Sequence, residues 1–220
     1  MTAPKAVLFD LDGTLIDSAP DLAGACNEMR SERGLPALPY ERLRSMVGSG
    51  ARGMVGVGFG LAPADAGYPA LREEFLARYE ARMTRETRVF ADVPPLLAWL
   101  RTRSIPWGIV TNKAERFAVP LVGWLGLTGE SAALVCGDTT PHAKPHPAPL
   151  IEAARRAGVA AVDCAYVGDD RRDVDAGRAA GMRTVVAAWG YLGEGDPVDA
   201  WASDAIVRTP AELIAWIEGA

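Results

Sequence analysis

Residues 9–18 read FDLDGTLIDS and directly follow KAVL at residues 5–8, a short apolar run that is typical of a buried strand. This order puts Asp10 and Asp12 at the end of the strand, just before a turn at Gly13. Two carboxylates about 4 Å apart repel each other by roughly 4 kcal/mol at an effective dielectric constant of about 20. Ligands of open parallel sheets bind at the carboxyl ends of the strands. The pair therefore predicts a site for a cation or for a reaction at this position.

From about residue 90 onward, helical patterns alternate with short apolar runs. The predicted strands are 106–110, 133–136, 164–167 and 184–187, and the predicted helices are 93–103, 113–125, 147–157 and 172–180. Gly126, Gly158 and Gly181 are placed to end three of these helices. Such alternation is typical of a parallel sheet covered by helices. We expect an α/β fold with a Rossmann-like parallel-sheet core.

Residues 19–88 break this alternation, because they show helical periodicity and no convincing strand. Helices are predicted at 21–33, 40–47, 51–59 and 68–85, separated by turn-rich segments. A helical block between the first and second strands of the sheet predicts an inserted domain. We expect an α/β core formed by residues 1–18 and 89–220, and a helical domain formed by residues 19–88.

The bulk composition narrows the function classes. The 220 residues are 49% apolar and 23% charged, with a formal charge of −5, which is typical of a globular protein. The negative charge argues against nonspecific nucleic-acid binding and against attachment to an anionic membrane. The apolar runs are shorter than the roughly 20 residues that span a bilayer, and the N-terminus does not resemble a signal peptide. We expect a cytoplasmic protein with no nucleic acid and no membrane as partner.

Cysteine and histidine offer little sign of a metal or disulfide framework. Cys26, Cys136 and Cys164 are odd in number, widely spaced and outside any CxxC pair, which favours buried reduced thiols. His142 and His146 are four residues apart in a proline-rich loop that cannot be helical throughout. This loop makes a zinc site at the two histidines the weaker interpretation.

Polar side chains recur at the ends of the later strands. Thr111 and Asn112 follow one strand, Asp169, Asp170 and Asp173 follow another, and Lys144 lies between them in a loop before a helix. Taken singly, these residues fit turns, a helix N-cap and a solvated lysine. Taken together at one edge of a sheet, they fit phosphoryl transfer. Carboxylates hold Mg²⁺ or attack phosphorus, hydroxyl and amide groups bind phosphate oxygens, and a lysine offsets negative charge.

The chain resembles the haloacid dehalogenase-like hydrolases over its whole length. The motifs that carry the resemblance are Asp10-x-Asp12-Gly13-Thr14, Thr111, Lys144 and Gly168-Asp169-Asp170-x-x-Asp173. The insertion at residues 19–88 resembles the helical cap that follows the first motif in this family. Asp12 distinguishes the chain from the dehalogenases and ATPases of the family, and its presence indicates a phosphatase or a phosphomutase.

The resemblance implies a role for each motif residue. Asp10 would be the nucleophile that forms an aspartyl-phosphate, and Asp12 would be the general acid and base. Thr111 and the Asn112 backbone would bind phosphate oxygens, and Lys144 would orient Asp10 and offset charge. Mg²⁺ would be held by a cluster of acidic residues: Asp10, the Asp12 carbonyl and Asp169, with Asp170 or Asp173 in the same group.

The sequence predicts the substrate less closely than it predicts the reaction class. The chain is similar to phosphoglycolate phosphatases and also to bacterial N-acetylmuramic acid 6-phosphate phosphatases. Arg52 lies in the segment 48–53, GSGARG, which matches a dinucleotide-binding pattern but is predicted to begin a helix. Since both substrates carry a carboxylate, Arg52 could bind either one or could simply be solvated. We expect a small phosphorylated metabolite as partner and a monomer or homodimer, with a sugar phosphomutase and a noncatalytic binding module as further alternatives.

Overall fold

The computed structural model describes residues 3–219, and the chain divides into two compact units. The first, called the sheet unit here, contains the chain up to Ile16, Val89–Leu192 and the chain from Asp196 onward. The second, called the helical unit, contains Asp17–Arg88 and Gly193–Gly195. Among residues 3–219, no helix combines the length and the apolar character needed to cross a membrane.

Eight strands and nine α-helices are found in residues 3–219. The strands are β1 Ala6–Phe9, β2 Ile16–Asp17, β3 Arg88–Val89, β4 Trp107–Val110, β5 Ala133–Val135, β6 Cys164–Gly168, β7 Arg183–Ala187 and β8 Ala205–Val207. The helices are α1 Ala19–Glu32, α2 Tyr40–Arg44, α3 Gly50–Phe59, α4 Tyr68–Arg82, α5 Val93–Thr102, α6 Glu115–Trp124, α7 Ala148–Arg156, α8 Arg171–Ala179 and α9 Pro210–Glu218.

Six strands form one parallel sheet in the order β5-β4-β1-β6-β7-β8, while β2 and β3 pair with each other. The chain extends the sheet from β1 through β4 to β5, and then returns to the other side of β1 to add β6, β7 and β8. The direction of winding thus reverses next to β1. In open α/β sheets, ligands bind at the carboxyl ends of the strands beside such a reversal.

Both faces of the sheet are covered, which explains why its strands are apolar at successive positions. Val7 and Phe9 of β1 belong to the cluster that includes side chains of α5, α6 and α9. Ala6 and Leu8 belong to the cluster on the other face, with side chains of α7 and α8. The α/β fold expected from the sequence, with a parallel sheet and a helical insertion, is confirmed.

The predicted helix ends in the sheet unit are also confirmed. Gly126, Gly158 and Gly181 follow α6, α7 and α8 with φ values of 75°, 70° and 73°. This left-handed conformation carries no Cβ penalty in glycine, so each residue ends its helix at little cost.

Some elements differ from the sequence prediction or were absent from it. The predicted helix 40–47 is divided, because α2 ends at Arg44 and a separate 3₁₀ turn covers Val47–Ser49. The strands β2 and β3 were not predicted, because each is only two residues long and therefore shows no periodicity. The three-residue edge strand β8 and the helix α9 were also not predicted. Thr209 is a candidate sequence signal for α9, because it caps that helix by accepting a hydrogen bond from the Glu212 amide at 3.2 Å.

Asp21 of α1 forms a buried ion pair with the last residue of α4 and hydrogen bonds with the chain beyond α4, all within the helical unit. The Arg82 Nε lies 3.3 Å from Asp21 Oδ1. Asp21 Oδ2 accepts hydrogen bonds from the Thr87 amide and hydroxyl, both at 2.8 Å. A carboxylate that accepts several hydrogen bonds beside a guanidinium tolerates burial. The contacts fix the segment that leads into β3.

Candidate active site

The loop after β1 brings the first aspartates to the edge of the sheet. Asp10 continues the β1 ladder by donating its backbone N–H to the Val167 carbonyl at 2.9 Å. The chain then turns at Gly13, where φ is 85°. A Cβ at Gly13 would overlap the Asp169 carboxylate. Glycine is therefore required at this position both for its backbone conformation and for the close approach of Asp169.

Three carboxylates converge beside β1. Oxygens of Asp10, Asp169 and Asp173 all lie within 4.8 Å of one another, and among residues 3–219 they form the one group of three or more candidate metal ligands. Asp169 and Asp173 are almost completely buried. Asp169 follows β6 and Asp173 lies four residues later in the first turn of α8, so the cluster combines two segments that are far apart in sequence, the loop after β1 and the junction between β6 and α8.

Lys144 is the cation at the centre of this cluster. Its Nζ lies 2.9 Å from Asp10 Oδ1 and 2.7 Å from Asp173 Oδ1. It also donates to the Val110 carbonyl at 3.0 Å and to the Tyr166 hydroxyl oxygen at 2.8 Å. The ammonium is buried, and these contacts replace the water that it loses.

Asn112 and Thr111 hold the chain around Lys144 and the end of β4. The Asn112 side chain donates from Nδ2 to the Lys144 carbonyl at 3.0 Å and accepts from the Lys144 amide at 2.9 Å. Thr111 is buried, donates its amide to the Val135 carbonyl at 2.9 Å, and accepts the Lys113 amide on Oγ1 at 3.1 Å. The loop that carries Lys144 is thus fixed to the β4 edge.

The charge balance of the cluster favours a bound cation. Burial raises the pKa of Asp10 to about 7, with the Lys144 ammonium opposing part of the rise. Burial, with Asp10 and Asp173 nearby, also raises the pKa of Asp169 well above its usual range. Burial alone would lower the pKa of Lys144, but Asp10 and Asp173 outweigh it and raise that pKa. One lysine does not neutralise three carboxylates, so an oxygen-liganded divalent ion such as Mg²⁺ fits this site.

Asp170 has different partners from the other acidic residues. It is the N-cap of α8, and its Oδ1 accepts the Arg172 amide at 2.9 Å and pairs with Arg172 Nε at 2.7 Å. Although burial acts in the opposite direction, these contacts with Arg172 lower the pKa of Asp170. Asp173 Oδ2 completes the capping box by accepting the Asp170 amide at 3.0 Å.

Comparison with known proteins identifies the family. A family model described as haloacid dehalogenase-like hydrolase matches residues 7–187. The chain belongs to the haloacid dehalogenase-like hydrolases. The expected enzyme class is confirmed with it: this hydrolase is a phosphatase of the family, acting on phosphoric monoesters. The cluster of Asp10, Asp169 and Asp173 is consistent with the metal site of these hydrolases.

Individual relatives span nearly the whole of this hydrolase. A phosphoglycolate phosphatase of Xanthomonas campestris pv. campestris is 49% identical over 214 residues, which cover 97% of this chain and 96% of that protein. An N-acetylmuramic acid 6-phosphate phosphatase of Pseudomonas putida is 42% identical over 216 residues, or 98% of this chain and 97% of that protein. A crystal structure of a predicted phosphoglycolate phosphatase from Haemophilus somnus has a TM-score of 0.85 at 25% identity, with 98% and 99% of the two chains covered.

The structure brings most of the sequence-predicted site residues of this hydrolase to the same edge of the sheet. These residues lie at the carboxyl ends of β1, β4 and β6, in the loops beside them or, for Asp173, in the first turn of α8: Asp10, Asp12, Thr111, Asn112, Lys144, Asp169 and Asp173. Asp170 lies in the same segment as Asp169, but its carboxylate is not part of the three-carboxylate group. Arg52 is exposed on α3 of the helical unit.

Two residues beside the site, Lys113 and Tyr166, were not predicted from the sequence to belong to it. Lys113 Nζ lies 3.0 Å from Asp12 Oδ2, with most of the lysine side chain buried. The Tyr166 hydroxyl group contacts Lys144 and Asp173, at 2.8 and 3.2 Å. A signal for Lys113 existed, because it directly follows the polar pair at the end of β4. Tyr166 reads in sequence as one more apolar strand position.

Proposed function

We propose that this hydrolase removes the phosphoryl group from a small carboxylated phosphomonoester, and that phosphoglycolate is its principal substrate. The observation that carries the proposal is the 49% identity with the Xanthomonas phosphoglycolate phosphatase over almost the full length of both chains. The arrangement of carboxylates and one lysine at the switch point of the sheet supports the same reaction class.

Asp10 is the nucleophile in this proposal. Lys144 holds Oδ1 of Asp10 at 2.9 Å, which leaves the second carboxylate oxygen to attack phosphorus. The bond from Asp10 to phosphorus forms as the bond from phosphorus to the leaving oxygen breaks, giving an aspartyl-phosphate and an alcohol. Water then attacks phosphorus and restores the carboxylate.

Asp12 acts as the general acid and base. It delivers a proton to the leaving oxygen in the first step and removes one from the attacking water in the second. Asp12 follows the nucleophile by two residues in a loop held by the hydrogen bond from the Gly13 amide to the Ile16 carbonyl, at 2.9 Å. Its partner Lys113 fixes the carboxylate to one side of that loop.

Mg²⁺ is the proposed cofactor, held by Asp10, the Asp12 carbonyl and Asp169. When bound, Mg²⁺ offsets the negative charge of the phosphate, so that an anionic nucleophile can approach. Asp173 belongs to the same cluster but already accepts hydrogen bonds from Lys144 and the Asp170 amide. Asp170 is paired with Arg172. In this proposal Asp170 and Asp173 therefore support the site and are not the main ligands of the ion.

Thr111, the Asn112 backbone and Lys144 bind the transferring phosphoryl oxygens. Thr111 and Asn112 stand at the end of β4, which pairs with β1. Lys144 has a second task in this proposal, since its ammonium orients Asp10 and stabilises charge that develops at phosphorus.

N-acetylmuramic acid 6-phosphate is the second candidate substrate, favoured by the 42% identity with the Pseudomonas putida phosphatase. Both compounds carry a carboxylate, and an exposed arginine such as Arg52 could bind either. The two candidate substrates differ in the size of the leaving group.

The test is a comparison of kcat/KM for phosphoglycolate, N-acetylmuramic acid 6-phosphate, a hexose 6-phosphate and p-nitrophenyl phosphate, with and without Mg²⁺. We expect phosphoglycolate to give the highest value, with activity on all four lost after chelation. A higher value for N-acetylmuramic acid 6-phosphate would favour the second candidate. A lack of Mg²⁺-dependent turnover on every ester would contradict the phosphatase mechanism itself.

A further inference from the structure

The segment Trp189–Tyr191 lies at the same edge of the sheet as the carboxylates, directly after β7. The Ala188 amide donates to the Val207 carbonyl at 2.8 Å, and the Gly190 amide donates to the Ala187 carbonyl at 3.0 Å. The first bond extends the pairing of β7 with β8 by one residue, and the second closes a turn just after β7. None of the proposed reaction steps uses this segment.

The segment contacts Asp169 directly. The Tyr191 amide donates to Asp169 Oδ2 at 2.7 Å, while the Thr14 hydroxyl donates to Asp169 Oδ1 at 3.0 Å. Each carboxylate oxygen therefore has a fixed donor from a different part of the chain. Two donors on opposite oxygens set both the position and the rotation of the carboxylate.

Trp189 connects the segment to the loop that carries the nucleophile. Its indole Nε1 donates to the Thr14 carbonyl at 3.0 Å. Residue 189 thereby holds the same threonine whose hydroxyl group contacts Asp169. The contacts form a closed ring: Trp189 to Thr14, Thr14 to Asp169, Asp169 to Tyr191, and Tyr191 through the chain to Trp189.

Gly190 fits into this ring because it has no side chain. A Cβ at this position would overlap the Asp169 side chain and crowd the Gly13 carbonyl oxygen, whereas the φ of Gly190 lies outside the left-handed region that favours glycine. The requirement for glycine is therefore one of space. The backbone at residue 190 packs closely against the Asp169 side chain, which leaves the carboxylate little freedom.

We propose that Trp189, Gly190 and Tyr191 are positioning residues that orient Asp169 toward Asp10 and Asp173 and thereby set the affinity of the site for a divalent cation. The proposal deepens the proposed function and rests on its metal site. Partners that orient a ligating side chain typically change metal affinity by about 10- to 100-fold when they are removed. The segment needs no contact with substrate to have this effect.

The test measures cation binding without substrate or turnover. Mn²⁺ is titrated into the full-length, metal-free chain, with binding followed by calorimetry and by the electron paramagnetic resonance signal of free Mn²⁺. Trp189→Phe keeps a large ring but removes the N–H that reaches Thr14, and we expect it to raise the dissociation constant by about 10-fold or more.

Trp201→Phe is the matched control. Trp201 also donates its indole N–H to a backbone carbonyl at 3.0 Å, that of Asp196, but it belongs to a different apolar cluster, with Val174 and Val186. We expect its dissociation constant for Mn²⁺ to stay within about 2-fold of the unchanged chain. Circular dichroism and thermal melting of the metal-free proteins establish that both variants are folded.

Gly190→Ala provides an independent test if Trp189→Phe does not fold. It should weaken Mn²⁺ binding because the new methyl group displaces Asp169, whereas Gly129→Ala, with nothing within 4 Å of its Cβ, should not. Unchanged Mn²⁺ affinity in a folded Trp189→Phe or Gly190→Ala chain would overturn the proposal, as would a lack of Mn²⁺ binding by the unchanged chain. Weakened binding in a chain that hydrolyses no phosphate ester would uphold the proposal and contradict only the proposed function.

Discussion

Lys113 and Asp12 form an ion pair, with 3.0 Å between Nζ and Oδ2, at the point where β4 leads into α6. The lysine side chain is only 8% exposed and that of Asp12 is 17% exposed, so water screens the pair less than it screens a surface pair. If Asp12 is the general acid and base, Lys113 fixes the group that moves the proton.

We expect Lys113→Met to slow hydrolysis of alkyl phosphates by about 1.5–3 kcal/mol in kcat/KM, the range for hydrogen bonds to charged groups. The rate of the first step should fall less for aryl phosphates, because their leaving groups need little protonation. Steady-state kinetics on both ester types checks this, and Lys113→Arg should restore part of the rate.

Lys5→Met is the control for this prediction. Lys5 also pairs with an aspartate, Asp163, at 2.9 Å, but its side chain is 70% exposed, and it precedes β1 whereas Asp10 follows that strand. We expect its kinetics to match those of the unchanged enzyme. Equal losses on alkyl and aryl esters in Lys113→Met would argue against a link to proton transfer by Asp12.

We expect Asp10→Asn to abolish turnover while the protein remains folded. The amide is nearly isosteric but cannot act as the anionic nucleophile. Loss of one buried negative charge from a group of three carboxylates should leave the melting temperature of the metal-free protein unchanged or higher. Kinetics with thermal melting in the absence of metal measures both effects, and near-normal turnover in the folded variant would rule out the nucleophile assignment.

Tyr166→Phe tests the support of Lys144. The change removes a hydroxyl group that lies 2.8 Å from both Lys144 Nζ and the Val110 carbonyl oxygen. Leaving buried polar groups short of a partner costs about 1–3 kcal/mol, and part of this should appear as a lower kcat. The loss of activity in Tyr166→Phe should be similar on alkyl and aryl esters, in contrast to the loss in Lys113→Met, because Lys144 acts on the nucleophile and the phosphoryl group. A loss confined to alkyl esters would contradict this role.

The sequence was sufficient to predict the residues that stand at strand ends. Asp10, Thr111 and Asp169 each directly follow a strand, with Asp12 two residues beyond Asp10, and the parallel order of the sheet brings such positions to one edge. Lys144 was predicted on weaker ground, since it belongs to a loop whose position depends on the contacts of Asn112 with its backbone.

The supporting contacts could not be predicted in this way. Trp189 and Thr14 are separated by 175 positions, and their hydrogen bond depends on how the chain turns after β7. The hydroxyl of Tyr166 points from a buried strand toward a lysine 22 positions away. The distinct roles of Asp170 and Asp173 likewise depend on the N-cap geometry of α8, which the order of residues alone leaves open.

The cysteines should resist alkylation in the folded protein. Cys26, Cys136 and Cys164 are buried free thiols, and burial raises the pKa of each to about 11. Because the raised values exceed the reference value of 9.0, the stability gained from keeping the thiols neutral is present below pH 9 and is lost between pH 9 and 11. Mass spectrometry after iodoacetamide treatment at pH 8 should show little labelling in the native state and three labels in denaturant. Rapid native labelling at any of the three would contradict the described burial.

Arg52→Ala tests whether the helical unit contributes to substrate selection. Arg52 is exposed on α3, in the segment that begins with Gly48 and contains the start of that helix. If its guanidinium binds the substrate carboxylate, kcat/KM for phosphoglycolate should fall by about 1.5–3 kcal/mol. Hydrolysis of p-nitrophenyl phosphate, which has no carboxylate, should change far less.

Arg72→Ala is the control. Arg72 is an exposed arginine on α4 of the same unit, and it pairs with Glu73. Its removal should leave the hydrolysis of both substrates unaffected. A uniform loss on both substrates in Arg52→Ala would assign Arg52 to phosphate binding or to the structure of α3, and no loss on either would mean that it is a solvated helix residue.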